Sequence, residues 1–229
     1  SGGEGFDNTA DTLFVPPVLM ESYLKAAGRV MEAVYKSDTL RKKVIFVSED
    51  EQKKEPREAA RKVLSYHASL AFRRRVNDTD LKPLFDNFSA SLKKGATFEK
   101  SLRTPLTSLL VNPKFLFRIQ HDVKGKKQWL LNDFELATRL SYFLWSSMPD
   151  SELFKLANEG KLRDPKIHRR QIKRMLASKK STALARHFAG QWIGFDELID
   201  RAEPDKKRFP HFTRSLRASM YYESVAFFN

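Results

Sequence analysis

The stretch "ELATRLSYFLWSSMPD", residues 135–150, leaves almost no helix face for water. At about 100° per residue, Leu136, Ala137, Leu140, Phe143 and Leu144 form one broad apolar face. Phe134, Thr138, Ser141, Tyr142 and Trp145 line nearly the opposite one. A helix that is apolar nearly all round is a central one, covered by other helices on both sides. Asn132 and Glu135 have the spacing of a capping box that opens it. Arg139 is the exception inside it. A guanidinium stays charged, and burying one without a partner is strongly unfavourable. Arg139 must therefore reach the surface or meet a carboxylate, with Asp150, Glu152 and Glu223 as candidates. A structural ion pair of Arg139 with Asp150 is the expectation.

Helical periodicity recurs through most of the chain. Met20, Leu24, Ala27, Met31 and Val34 repeat at helical spacing behind Pro17, a residue suited to a first turn. Residues 37–56 are highly charged around the β-prone run "VIFV" (44–47) and read as a linker. A helix from about Pro56 to Arg75 follows. "NDTD" then caps a helix stopped by Gly95, and Thr97 opens another that Pro105 should kink. "KFLFRIQ" and "KQWLL" flank "HDVKGK" and read as a β-hairpin turning at Gly125. After the central helix come segments at 151–159, 166–177 (Asp164 as cap, Pro165 in the first turn), about 181–194, and 213 onward. The expected fold class is all-α: multi-helix bundle units with one minor hairpin near Gly125.

The chain holds 42 Lys+Arg against 28 Asp+Glu, a formal charge of +14, which favours anionic partners. With 18 Phe, 3 Trp and 6 Tyr in 229 residues it can bury a real core. It contains no cysteine, which excludes disulfides, thiolate chemistry and covalent c-type haem attachment within these residues. No apolar run approaches the roughly 20 residues that span a bilayer. The chain starts without Met and stops inside a helical pattern at "ESVAFFN", so it reads as a piece of something longer.

Few residues carry a signature of chemistry. His67, His121, His168, His187 and His211 stand far apart in sequence, with no His-Glu-x-x-His spacing. His67, His168 and His187 read as core or boundary histidines, although ligands can converge in space. "GGEGFDNTAD" lacks the third glycine of a dinucleotide fingerprint and the lysine of a P-loop, and Asp7 and Asp11 do not fit a calcium loop. The sharpest polar feature is "RDPKIHRRQIKRMLASKK", residues 163–180. On a helical wheel Lys166, Arg169, Arg170, Lys173 and Arg174 gather opposite an apolar stripe. Such a face is either a solvated outer surface or an anion-binding surface. "AFRRRV" (71–76) and "PDKKRF" (204–209) would add to it only if the fold brings them together.

A run of phrases in order, "GFDNTADTLFVPPVLMESYLKAAGRV", "SLLVNPKFLFRI", "ELATRLSYFLWSSMPDSELFKLANEGKL", "RMLAS", "HFAGQWIGF" and "FPHF" before "LRASMYYESVAFF", resembles the planctomycete cytochrome-c-associated PSD-type domains of unknown function. By that resemblance, residues 1–36 end a first family domain, 37–56 are the charged linker, 57–127 form a second helical domain ending in the hairpin, and 128–229 form a third, truncated one. The resemblance implies a large exported or cell-envelope protein. Haem c is expected only in accompanying modules, with no cofactor in this chain, and no catalytic motif is carried over. The leading expectation is a structural or docking portion beside c-type haem modules, whose partners are those modules, an envelope protein or an acidic polymer. The alternatives are an enzyme domain with a His/carboxylate pocket and a basic module that binds nucleic acid or another polyanion; nucleic acid is ranked last for want of a recognisable binding pattern.

Overall fold

The computed structural model describes residues 15–118, 125, 128–201 and 204–228. Among these residues there is no β-strand. Helices run α1 Pro17–Lys36, α2 Asp38–Val44, α3 Glu49–Lys54, α4 Pro56–Phe72, α5 Asp78–Lys93, α6 Phe98–Leu110, α7 Pro113–Leu116, α8 Asp133–Trp145, α9 Ser151–Asn158 and α10 Pro165–Leu176. A 3-10 turn (Lys179–Ser181) and a π-helix (Leu184–Ala189) follow, then α11 Gly190–Ile193, α12 Glu197–Asp200 and α13 Arg214–Phe228. The chain divides into two compact units, Val15–Trp129 and the residues from Leu130 onward.

In the first unit α4 is the centre. Ala59, Ala60, Val63, Leu64 and Ala68 are almost wholly buried, and the alanines let α5 and α6 approach the α4 backbone. Phe88 of α5 meets Phe98 of α6 edge to face, ring centroids 5.5 Å apart, a favoured aromatic geometry. Pro105 is buried within α6, which continues through it to Leu110. Its ring removes one backbone donor, yet the packing of Leu102, Leu106 and Leu109 around it holds the helix together.

Two sequence expectations fail here. Residues 37–56 are not a free linker: they form α2 and α3, and Ile45 and Val47 between these helices enter the core beside Met31 and Val63. Charge concealed this, because only alternate residues of "VIFV" face inward while the cations around them stay in water. Ser48 opens α3 with a capping box to Glu51, whose carboxyl is held down to about 2, chiefly by hydrogen bonds from Lys62 and Ser48. The hairpin expected around Gly125 is also missing where it can be judged. Its first arm begins as α7, where Asn112 accepts from the Lys114 N–H and Pro113 takes the first turn. Asn-Pro start chemistry thus overrides the β-propensity of "KFLF". Gly125 has φ +78, suited to a turn, while residues 119–124 and 126–127 lie outside the described residues.

Arg73 fixes α7 in place. It ends α4 in a left-handed conformation (φ 54) and is 5% exposed. Its guanidinium donates to the carbonyls of Lys114 (2.8 Å), Phe115 (3.1 Å) and Phe117 (2.6 Å). Next to it, Arg74 and Lys114 converge on the buried Asp80 carboxylate at 2.8 and 2.6 Å. Hydrogen bonding from Arg74 is the main reason that Asp80 stays ionised far below the usual carboxylate range.

In the second unit α8 is central, as its pattern demands. Ala137, Leu140, Ser141, Leu144 and Trp145 are buried against Leu153, Leu156, Leu162 and Met175. Its predicted capping box is present: Glu135 N–H donates to Asn132 Oδ1, and Asn132 N–H to Glu135 Oε2, each at 2.9 Å. The helix stops at Trp145, so Asp150 belongs to the cap of α9. Phe143 departs from the wheel, being 54% exposed. Asp133, at the first turn of α8, accepts from the Leu162 N–H at 2.7 Å and from Arg163 Nε at 3.0 Å. That contact pins the turn before α10 to the positive end of the α8 dipole.

If residues 37–56 are core, Ile45→Ala lowers unfolding free energy by about 2 kcal/mol or more, whereas a side chain in a free linker would change it by about 0.5 kcal/mol at most. Urea unfolding of the two chains decides between these values.

Candidate functional site

The polar cluster with the most connections in the second unit joins α8, α9 and α10. Asp150 caps α9 by accepting from the Leu153 N–H at 3.0 Å. The same carboxylate receives both Arg174 terminal nitrogens, Nη1 at 2.7 Å and Nη2 at 3.2 Å. Arg174 Nε donates to Gln171 Oε1 at 2.7 Å, and the fully buried Gln171 side chain passes its own N–H to Glu152 at 2.6 Å. Below this fork lies Trp145, with Arg174 5.5 Å and Lys180 4.9 Å from its ring centroid and its indole N–H on the Met175 carbonyl at 2.9 Å. A planar guanidinium suits this site because it can grip a carboxylate with two donors while stacking on an aromatic face.

The expected partner of Arg139 is therefore wrong. Arg139 lies exposed on α8, no ion pair joins it to Asp150, and Asp150 is held by Arg174. Arg139 takes the other route open to a charged side chain in an apolar helix and extends into water. Burial pushes the Asp150 carboxyl up, but hydrogen bonds from Arg174 and the Leu153 N–H and the charges of Arg174 and Lys180 outweigh it, so the net shift is downward.

The same contacts divide the basic set on α10. Arg174 is turned inward and half-buried, so it does not belong to an anion-binding face. Lys166, Arg169, Arg170 and Lys173 are exposed, and Lys179 and Lys180 of the following 3-10 turn are exposed with them. No acid occurs between Asp164 and Asp196 in the sequence, so nothing within this stretch neutralises the face. "AFRRRV" adds little to any surface, because Arg73 is buried and Arg74 is held by Asp80, whereas Lys206, Lys207 and Arg208 are exposed.

The histidines do not form a centre among the described residues, where no three His, Asp or Glu side chains gather in a metal-binding arrangement. His67 is half-buried, its Nε2 2.8 Å from the Val44 carbonyl, and burial pushes its pKa down. His168 is half-buried with its Nδ1 out of solvent, His187 and His211 are exposed, and His121 is outside the described residues. Sequence reasoning missed the roles of Arg73, Asp133 and Trp145, and it missed the exposed aromatic group of Phe143, Phe188 and Trp192. A helical wheel could have flagged Trp145 and Arg174 only if the partner helix had been known.

These features define an all-α protein whose arginines and carboxylates staple helices together and leave one cationic helix face outward. Three consecutive stretches of the chain match PSD-type domains of unknown function. Residues 1–36 match PSD3, Protein of unknown function (DUF1587); residues 59–120 match PSD5, Protein of unknown function (DUF1595); residues 131–229 match PSD4, Protein of unknown function (DUF1592). No curated protein and no solved structure matches the chain.

Asp150→Ala removes a cap and strands the half-buried Arg174, and it should lower stability by about 2 kcal/mol; Arg139→Ala should change it by less than about 0.5 kcal/mol. Denaturant titration of the two variants tests the reassigned pair. The pH dependence has a definite sign. A carboxyl whose folded pKa is depressed stabilises above its ordinary value of 3.8, and that contribution is lost as pH falls further. The stability gap between the wild type and Asp150→Ala should thus be full at pH 6 and narrow below about pH 4.

Proposed function

We propose that this chain is a docking portion of a larger cell-envelope protein, set beside c-type haem modules, and that it acts by packing and surface contact. The observation that carries the reading is the two-sidedness of α10. Gln171, Arg174 and Met175 are committed to holding α8 and α9, while Lys166, Arg169, Arg170 and Lys173 stand in water, with Asp164 at the helix start and no further acid up to Asp196. Four cations on one rigid helix form a surface that attracts and orients an acidic partner, mainly by speeding encounter and fixing register. The cytochrome setting and the envelope location rest on the resemblance of the ordered sequence phrases. No helix of the described residues is long and apolar enough to cross a membrane.

The test uses a Cys-x-x-Cys-His module from the same reading frame, supplied in trans and titrated calorimetrically. Binding should weaken about tenfold between 50 and 200 mM salt, and again when Lys166, Arg169, Arg170 and Lys173 are all changed to Glu, with the melting temperature unchanged. Affinity indifferent to salt and to charge reversal removes the α10 face from the account, and a reading frame without any such haem module removes the cytochrome setting.

A further inference from the structure

Two of the family matches meet inside the first unit. The PSD3 match ends at Lys36, the last residue of α1, and the PSD5 match begins at Ala59, within α4. Yet α1 packs on α2, which lies between the matches, and on α6, which belongs to the second. Ala27 and Met31 are buried there, and the half-buried Val34 and Tyr35 continue the same helix face. Met31 shares one apolar core with Leu64, Leu102 and Leu106, and Ile45 and Val47 enter that core from between the matches. Polar contacts give the packing a register. The Tyr35 hydroxyl donates to the Glu99 carbonyl in the first turn of α6, and Arg103, one turn further on, lies 5.7 Å from the Tyr35 ring centroid. Burial is the main cause that pushes the Tyr35 phenol up to about 12, so it keeps its proton for this bond. Arg41 of α2 closes the junction. Its Nε lies 3.3 Å from the Glu99 carboxylate, Nη2 lies 2.7 Å from Asp38, and Nη1 donates to the Tyr35 carbonyl at 3.4 Å.

We infer that α2 and α6 form a helix-docking site whose ligand is α1, so that the PSD3-matched and PSD5-matched segments fasten to each other as one folding unit. The mode is an amphipathic helix laid on an apolar seat, with Met31 as the buried anchor. An apolar face alone would pack in several registers. The Tyr35 hydroxyl on a backbone carbonyl and the Arg103 guanidinium on its ring fix both the rotation and the position of α1 along α6. The inference stands apart from the docking role of α10, whose cations lie in the other unit.

A protease recognition sequence inserted between Lys36 and Ser37 of the full chain keeps the Ser37 cap of α2 and lets α1 be cut free. After cleavage, residues 1–36 should stay with the remainder on a sizing column at about 10 μM, and a synthetic peptide of residues 15–36 should displace them. In that peptide Met31→Ala should weaken binding about tenfold or more, and Tyr35→Phe, which removes only the hydroxyl, about threefold. Separation of residues 1–36 from a remainder that keeps its melting temperature overturns the inference. Retention that is indifferent to both substitutions overturns it as well. Should the cut chain fail to fold, hydrogen exchange on the uncut Met31→Ala chain decides. Amides of α4 and α6 should then exchange about tenfold faster together with those of α1, whereas acceleration confined to α1 overturns the inference.

Discussion

The Arg174 guanidinium reaches from α10 to the carboxylate that caps α9, and its plane covers the Trp145 ring of α8. One side chain thereby fixes three helices. The pair is partly shielded, with side-chain exposures of 31% and 26%, so it is worth more than a surface ion pair and avoids the full desolvation of a buried one. It also completes a chain of polar groups, because the fully buried Gln171 would be left with unmatched donors and acceptors without Glu152 and Arg174. The small apolar core around Leu153, Leu162 and Met175 is assembled beneath this lid.

The first unit solves a similar problem in the same way. Arg73 satisfies three carbonyls of the segment around α7, those of Lys114, Phe115 and Phe117, and Asp80 gathers Arg74, Lys114 and its own capping interaction at Asn77. In both units the best-connected carboxylates sit at helix N-termini, where they cap and bind arginine at once. Each of these acids is matched by a basic side chain, and the remaining excess of cations, Lys166, Arg169, Arg170 and Lys173 of α10 among them, lies at the surface.

Periodic patterns were legible because they depend on local chemistry alone. The capping box at Asn132, the Asp164-Pro165 start and the central position of α8 all follow from neighbours within one turn. What failed depended on distant residues. Arg139 and Arg174 look alike in sequence, and only the packing of α10 on α8 determines which one meets Asp150. Residues 37–56 look like a linker because burial of Ile45 and Val47 is a tertiary fact about α4. The π-helix escaped because its pattern resembles an ordinary helix until Gly190 and Phe195 are seen in contact.

The central claim is that Arg174 and Asp150 act as one clamp, and a double-mutant cycle tests it most directly. Arg174→Ala, Asp150→Ala and the double variant, unfolded in urea at pH 7, should give a coupling energy of about 1–2 kcal/mol. Losses that simply add to within about 0.5 kcal/mol would mean that each residue acts alone, and the polar lid over α8 would then not be what holds this unit together.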